Sequence, residues 1–168
     1  YGSAQNVTLS ANEQAAIYYT TDGTTPTESS AVYSTTIPIA ATRTLRYFAR
    51  DLAGNMEAVK SQAYTIDKAG PSGIIAIGGG LTRTNGTGIT LNLSATDAAG
   101  VTQMKFSNDG ANWSASEAYA VAKSWTLPTG DGAKTIYVKF KDGVGNWSNA
   151  YTAPLTLDTK APVTTVSP

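Results

Sequence analysis

The sequence has no cysteine and no histidine among its 168 residues. This absence excludes cysteine nucleophiles, Ser-His triads and the usual zinc and copper sites. It also excludes the disulfide that joins the two sheets of antibody domains, so packing alone must hold such a fold together. Glu28, Glu57 and Glu117 are predicted to lie in loops without an acidic partner, which argues against glycoside hydrolysis. We therefore expect that the chain is not an enzyme and has no cofactor, except for a structural calcium ion considered below.

An excess of charge of one sign is also lacking, because 12 basic residues balance 12 acidic ones. A balanced surface does not attract nucleic acid or an anionic membrane. No apolar run is long enough to span a bilayer, and residues 1–6 lack the regions of a signal peptide. We expect no nucleic-acid partner and no membrane insertion, and we place any export signal outside this sequence.

An internal repeat organises the chain. The recurring blocks are residues 7–11 with 89–95, 17–23 with 104–110, 45–55 with 136–146, and 64–67 with 155–158. The spacing from Asp51 to Asp142 is 91 positions, and the spacing from Asp67 to Asp158 is the same. The second halves of the two copies therefore align without a gap, and the length suits two compact domains.

Every repeated block has the pattern of a β-strand. Residues 89–95 and 136–140 alternate apolar and polar side chains with a period of two, as half-buried antiparallel strands do. Gly, Asp and Asn cluster between the blocks and supply turns, and no helical periodicity is sustained. These features predict an all-β protein of two tandem immunoglobulin-like or fibronectin III-like antiparallel β-sandwiches.

The linkers set the domain boundaries. Residues 1–68 form the first predicted sandwich, whose own opening strand is missing, and residues 69–161 form the second. Asp67-Lys-Ala-Gly-Pro71 leads into the second module, and Asp158-Thr-Lys-Ala-Pro162 leads in the same way into the remaining residues. Residues 162–168 are thus predicted to be a linker and the first strand of a following module, or a strand donated in trans to a neighbouring subunit.

Two resemblances to known families cover nearly the whole chain. The first module, with residues 18–27, 32–34 and 49–55, resembles the C-terminal immunoglobulin-like domain of chitobiase and β-hexosaminidase. The second module, with residues 106–113, 123–127 and 138–147, resembles bacterial immunoglobulin-like repeats of large secreted and surface proteins. These resemblances imply a bacterial, extracellular or cell-surface setting and a supporting role without catalysis, although fold alone does not define function.

Two Asp-x-x-Gly-Asn corners, at Asp51 and Asp142, carry the oxygen ligands that calcium prefers. In an array of such modules the linker would bring Asp67 close to Asp97 and Asp142. This arrangement predicts a calcium ion bound by Asp67, Asp97 and Asp142 that would stiffen the junction. The alternative is that Asp51 and Asp142 cap tight turns, with the following glycines in the left-handed conformation.

Aromatic side chains at or beside loops form a candidate carbohydrate platform. Tyr18, Tyr19, Trp113 and Trp147 could present flat rings to the apolar face of a sugar. The alternative is that they pack within the sandwiches, as aromatic residues in strands commonly do and as we expect for Trp125.

The sequence leaves three functional hypotheses open. The first is a structural spacer in an extracellular array, adhesin or filament, with neighbouring modules of the same chain or identical subunits as partners. The second is a carbohydrate-binding or supporting region of a secreted glycoside hydrolase, with a polysaccharide as partner. The third is a subunit that polymerises into a filament by donating its C-terminal strand.

Overall fold

A computed structural model describes residues 1–166 of the chain. They form two compact units, the first Tyr1–Lys68 and the second beginning at Ala69. The regular elements of the described residues are β-strands and one 3-10 turn, so the prediction of an all-β fold is confirmed. Within residues 1–166 no helix has the length and apolar character that crossing a membrane requires.

Unit 1 contains six strands in two antiparallel sheets. Strands β1 and β4 pair in one sheet, and the other has the order β3-β2-β5-β6. The strands are β1 Gln5–Val7, β2 Ala15–Thr20, β3 Ala31–Val32, β4 Ile37–Ile39, β5 Arg43–Asp51 and β6 Lys60–Tyr64.

The core of unit 1 is small. Ile37 and Ile39 of β4 pack with Leu45 of β5, and all three are buried. Pro38 lies between the two isoleucines on the exposed side of β4, which pairs only with β1 among the described strands. Proline suits such an edge strand because it has no backbone N–H to donate to a further neighbour.

The described residues of unit 2 form eight strands in a three-stranded sheet and a five-stranded sheet. The orders are β12-β9-β7 and β11-β10-β13-β14-β8, and only the pairing of β8 with β14 is parallel among those described. The elements are β7 Ser72–Ile77, a 3-10 turn Gly78–Gly80, β8 Arg83–Thr84, β9 Gly88–Thr96, β10 Val101–Ser107, β11 Glu117–Ala118, β12 Ala122–Thr126, β13 Gly132–Asp142 and β14 Tyr151–Leu157.

The core of unit 2 confirms the alternation seen in the sequence. Ile89, Leu91 and Leu93 of β9 are buried, and the residues between them are exposed. In β13 the residues Ile136, Val138 and Phe140 are fully buried. Each such side chain contributes about 1.5 to 3 kcal/mol by its removal from water, which makes this face the main source of cohesion.

The C-terminal segment differs from both units. Residues 158–166 form no regular element, and Val163 and Val166 are 88% and 96% exposed. The predicted strand at 162–168 is therefore not formed within the described part of the chain, and Ser167 and Pro168 lie outside it. Its pairing with a following module or another subunit stays a prediction.

Candidate functional site

Asp142, at the end of β13, is the centre of the corner in unit 2. Val144, Gly145 and Asn146 donate backbone N–H groups to its Oδ1 at 3.0, 2.6 and 2.7 Å, and the Asn146 side chain donates to its Oδ2 at 2.7 Å. The carboxylate is only 2% exposed. Burial acts to raise the pKa of Asp142, but the hydrogen bonds from Asn146, Gly145 and Val144 outweigh it and lower that pKa.

Asp51 holds the corresponding corner in unit 1. Its Oδ1 accepts the backbone N–H of Asn55 at 2.8 Å, and its Oδ2 accepts the Asn55 side-chain amide at 2.8 Å. Hydrogen bonds from Asn55 lower the pKa of Asp51. Gly54 has a φ of 93°, which a residue with a side chain rarely adopts. Both corners thus have the geometry of the turn-capping alternative.

The other two residues of the predicted calcium site lie at loop positions. Asp97 follows β9, and its Oδ1 accepts the backbone N–H of Ala99 at 2.8 Å. Within unit 2 a carboxylate oxygen of Asp97 and one of Asp142 lie within 4.8 Å of each other. In unit 1 Asp67 follows β6, where its backbone N–H donates to the carbonyl oxygen of Tyr1 at 2.8 Å.

A second turn of unit 2 repeats the hydrogen bonding of the Asp142 corner. Asp109 accepts backbone N–H groups from Ala111 and Asn112 at Oδ1, and the side-chain amide of Asn112 donates to Oδ2 at 2.7 Å. Hydrogen bonds from Asn112 and Ser107 hold the pKa of Asp109 far below its ordinary value. The Asn-Asp-Gly run at residues 108–110 is typical of a turn, but its likeness to the corner at Asp142 depends on the hydrogen bonds that the structure shows.

The triplet Asn-Trp-Ser follows both of these turns, at residues 112–114 and 146–148. The hydroxyl groups of Ser114 and Ser148 accept the backbone N–H groups of Phe106 and Phe140, each at 3.0 Å. The backbone N–H groups of the two serines donate back to the carbonyl oxygens of the same phenylalanines at 2.8 Å. Each turn is therefore fastened to a core strand, and the tryptophan between Asn and Ser has a fixed position.

The two tryptophans lie over lysines on the outer side of β10 and β13. The Nζ atom of Lys105 is 5.4 Å from the ring centroid of Trp113 and 4.4 Å from that of Trp147. The Nζ atom of Lys139 is 5.0 Å from Trp113, and that of Lys141 is 5.8 Å from Trp147. All four distances are within the range of cation–π attraction. These five residues are called the Trp–Lys face.

The tryptophans of the Trp–Lys face were predicted from the sequence, but its lysines were not. Lys105 and Lys139 are directly opposite each other in the β10–β13 pair, where like charges repel. The indole rings offset this repulsion because their negatively charged faces attract both ammonium groups. The arrangement presents aromatic surface and positive charge together.

The tyrosines of the predicted platform do not share one surface. Tyr18 and Tyr19 are consecutive residues of β2, so their side chains point to opposite faces of the sheet. Tyr18 stacks on Phe48 with a centroid distance of 5.2 Å, and Tyr19 packs against the core formed by Ile37, Ile39 and Leu45. Tyr18 and Tyr19 therefore present no common aromatic surface, and carbohydrate binding by either of them stays a prediction.

The fold and these capped turns define a protein of tandem fibronectin III-like or immunoglobulin-like β-sandwiches. Residues 1–61 match the family model of the chitobiase/beta-hexosaminidase C-terminal domain, which confirms the resemblance predicted for the first module. No curated protein gives a significant match to the chain.

Solved structures that are similar to the chain include the following two. One is that of fibronectin(III)-like modules of CbhA from Clostridium thermocellum, with 15% identity and a TM-score of 0.47, covering 99% of this chain and 92% of that one. The other is a tetra-tandem repeat in the extending region of a large adhesion protein, with 15% identity and a TM-score of 0.40, covering 87% of this chain and 42% of that one.

Proposed function

We propose that the chain is a non-catalytic spacer of an extracellular or cell-surface bacterial protein. The observation that carries this proposal is that the buried polar side chains hydrogen-bond to neighbouring turns and strands. Asp142, Ser107 and Ser148 are the buried polar or charged residues described, and each is hydrogen-bonded to a turn or strand beside it. These groups maintain the shape of the loops and are not directed at a substrate.

The glutamates support the same proposal. Glu28, Glu57 and Glu117 form separate ion pairs with the following bases, Arg50 at 3.4 Å, Lys60 at 2.6 Å and Lys123 at 2.6 Å. Glu117 lies in the short strand β11, which corrects its predicted loop position. A glycosidase needs two carboxyl groups facing one bond, and here each of these three glutamates is paired with a base instead.

The spacer proposal is tested with concatenated chains. Proteins of one, two and four copies joined end to end are measured by small-angle X-ray scattering, together with four copies joined through long Gly/Ser linkers as the flexible control. A spacer should gain a constant increment in maximum dimension per added copy, because its modules keep their form in series. Growth with the square root of copy number, as for a flexible chain, would contradict the proposal.

The Trp–Lys face favours a second candidate function, binding of an anionic polysaccharide. A pyranose ring packs its apolar face on indole, and the carboxylate or sulfate groups of an acidic sugar would pair with the lysines. The supporting observation is that Lys105 lies within 5.4 Å of both ring centroids. Binding here would place the sugar site on an outer sheet surface, separate from the core.

Alanine at Trp113 or Trp147 should weaken such binding by about tenfold each, which corresponds to about 1.4 kcal/mol for one lost aromatic contact. The measurement is calorimetric titration with acidic oligosaccharides, and a neutral oligosaccharide shows whether charge matters. Trp125→Phe is the matched control, since Trp125 packs against the core near Phe106 and lies outside the face. Equal affinity for all three variants would remove the Trp–Lys face as the binding surface.

Calcium binding by Asp67, Asp97 and Asp142 stays a proposal. A free calcium concentration about a hundredfold above Kd should stabilise the folded chain by about 2.7 kcal/mol. The measurement is the midpoint of thermal unfolding in calcium and in EDTA, with magnesium as the control for ionic strength. Asp97→Asn should abolish the difference while keeping the acceptor for Ala99. Identical midpoints in calcium and EDTA would exclude the site.

A further inference from the structure

One loop of unit 2 carries a dipeptide that occurs once in the chain. Asn85 is followed by Gly86, and every other asparagine is followed by a residue with a side chain. Asn85 is exposed, and the pair lies between β8 and β9. Asparagine is one of the thermally labile residues of proteins, and glycine places no Cβ atom beside the backbone nitrogen that can attack its amide. This pair is therefore a candidate for spontaneous chemical modification.

Hydrogen bonds hold the chain on both sides of the pair. The carbonyl oxygen of Thr84 accepts the backbone N–H of Asp158 at 2.9 Å, and that of Thr87 accepts the N–H of the residue after β12, also at 2.9 Å. A Cβ atom added to Gly86 would have no heavy atom within 4 Å apart from its chain neighbours. Asn85 and Gly86 thus lie in open space between two anchored residues, and the side chain of Asn85 has room to turn back onto the backbone.

The hydroxyl group of Thr84 restrains the nitrogen that would react. Thr84 Oγ1 accepts the backbone N–H of Gly86 at 3.2 Å, and it donates to the carbonyl oxygen of Gly86 at 3.0 Å. The nitrogen must give up its hydrogen bond before it can lose its proton and bond to the Asn85 side chain. The folded loop therefore slows the reaction by the free energy of this contact.

Four Asp-Gly pairs have the same glycine but a less reactive side chain. They begin at Asp22, Asp109, Asp131 and Asp142. Hydrogen bonds lower the pKa of the first three carboxyl groups, and at Asp142 burial raises the pKa but hydrogen bonds outweigh it. All four are carboxylates at neutral pH and have no good leaving group, whereas the amide of Asn85 can release ammonia.

We propose that Asn85 deamidates spontaneously and that the hydroxyl group of Thr84 sets the rate. The nitrogen of Gly86 bonds to Cγ of Asn85, and the side-chain nitrogen leaves as ammonia together with the proton of the Gly86 N–H. Water then adds to either carbonyl carbon of the resulting cyclic imide and opens it. Aspartate or isoaspartate remains at position 85, and no oxidant, reductant or cofactor takes part.

Deamidation changes the charge of a cavity beside the loop. This cavity of about 440 Å³ is lined by Leu81, Arg83, Thr84, Asn85 and Asp158. Its one positive and one negative side chain balance while residue 85 is an amide, and a carboxylate at position 85 makes the cavity net negative. Isoaspartate also adds one atom to the backbone of a loop that is anchored at both ends. The reaction thus gives the chain two chemically distinct forms.

The test follows one tryptic peptide of the full chain during incubation at neutral pH. Trypsin releases residues 84–105, which contain Asn85 and, as an internal control, Asn92. The N–H that would attack Asn92 donates to the carbonyl oxygen of Val121 at 2.8 Å. Tandem mass spectrometry should show conversion of an amide to an acid at Asn85, increasing with time, while Asn92 stays unchanged. A sample digested at the start gives the background.

Thr84→Val keeps the shape of the side chain but removes the hydroxyl group. Deamidation of the folded chain should become about fivefold faster, the factor that corresponds to one hydrogen bond of about 1 kcal/mol. In urea the wild type and this variant should react at equal rates, because unfolding removes the contact from both. Circular dichroism checks that the variant is folded before the urea is added.

Gly86→Ala is the matched control at the attacking residue. The open space around Gly86, whose φ is not in the left-handed region, accepts a methyl group without displacing the loop. The added Cβ atom hinders the approach to Asn85, so most of the modification should be lost. Equal conversion of Asn85 and Asn92 in the wild type would overturn deamidation at this site. Equal rates for folded wild type and Thr84→Val, or a faster variant in urea as well, would overturn the role of the Thr84 hydroxyl group.

Discussion

Phe140→Ala is expected to destabilise unit 2 by about 3 to 5 kcal/mol. Phe140 is fully buried on β13 and contacts Tyr119 edge-on at 5.8 Å and Tyr151 at 5.9 Å between centroids. Removing the ring leaves a cavity that the sheet on either side cannot close, because β7 is held at its place by backbone pairing with β9. The measurement is urea unfolding followed by tryptophan fluorescence, which reports unit 2 since all three tryptophans are there.

Val144→Ala is the matched control for this experiment. Val144 lies in the corner after β13 and is 37% exposed, so its truncation should change the unfolding free energy by no more than about 0.5 kcal/mol. A loss below about 1 kcal/mol for Phe140→Ala would mean that this ring does not form the centre of the core.

The fold was predictable because the repeat and the alternation report the same strands. Residues 136–140 alternate in the sequence, and in β13 Ile136, Val138 and Phe140 are buried while the two residues between them are half-buried, as expected. The linker at residues 67–71 was expected to lead into the second module, and β7 begins directly after it at Ser72. The alternation of apolar and polar residues is enough to predict these strands because burial of one face fixes the register of a strand.

The Trp–Lys face was only half predictable because it depends on which strands are neighbours. Lys105 and Lys139 are 34 positions apart in the sequence and become direct partners only through the β10–β13 pairing. The Asn-Trp-Ser triplets were the available signal, since each follows a capped turn that returns the chain over the sheet. Tyr18 and Tyr19 could have been separated from the sequence, as neighbours on a strand cannot face the same side.

The corners show that sequence identity does not determine burial. Asp51 and Asp142 stand 91 positions apart in the same Asp-x-x-Gly-Asn motif, and both accept hydrogen bonds from the asparagine. Asp142 is buried, but Asp51 is not. The difference comes from the residues packed around each corner, which the motif does not specify. The two aspartates therefore form a natural matched pair for experiment.

Asp142→Ala is expected to destabilise unit 2 by about 3 kcal/mol, because it leaves several N–H donors of the corner without an acceptor. The tryptophan fluorescence experiment measures this loss, and Trp147 also reports any movement of the corner directly. Asp51→Ala is the control, and its unfolding is followed by circular dichroism because unit 1 contains no tryptophan. Its effect should be smaller because water can replace the more exposed carboxylate. Equal losses for the two variants would show that burial of Asp142 adds nothing to the strength of the corner.

The same carboxylate should make stability depend on pH in one direction. The pKa of Asp142 in the folded chain lies below its ordinary value of 3.8, so the unfolded chain binds a proton more readily. The Asp142 carboxylate contributes fully to the free energy of unfolding above about pH 5. This contribution is lost as the pH falls through 3.8 and then through the lower pKa of the folded chain. Asp109 and Asp131 also have lowered pKa values and act in the same sense, which keeps some acid sensitivity in any single variant.

Asp142→Asn keeps an acceptor for the backbone but does not titrate, so its unfolding free energy should fall less steeply between pH 5 and pH 2 than that of the wild type. Parallel pH profiles for the two proteins would show that the hydrogen bonds at the corner do not depend on the charge of Asp142.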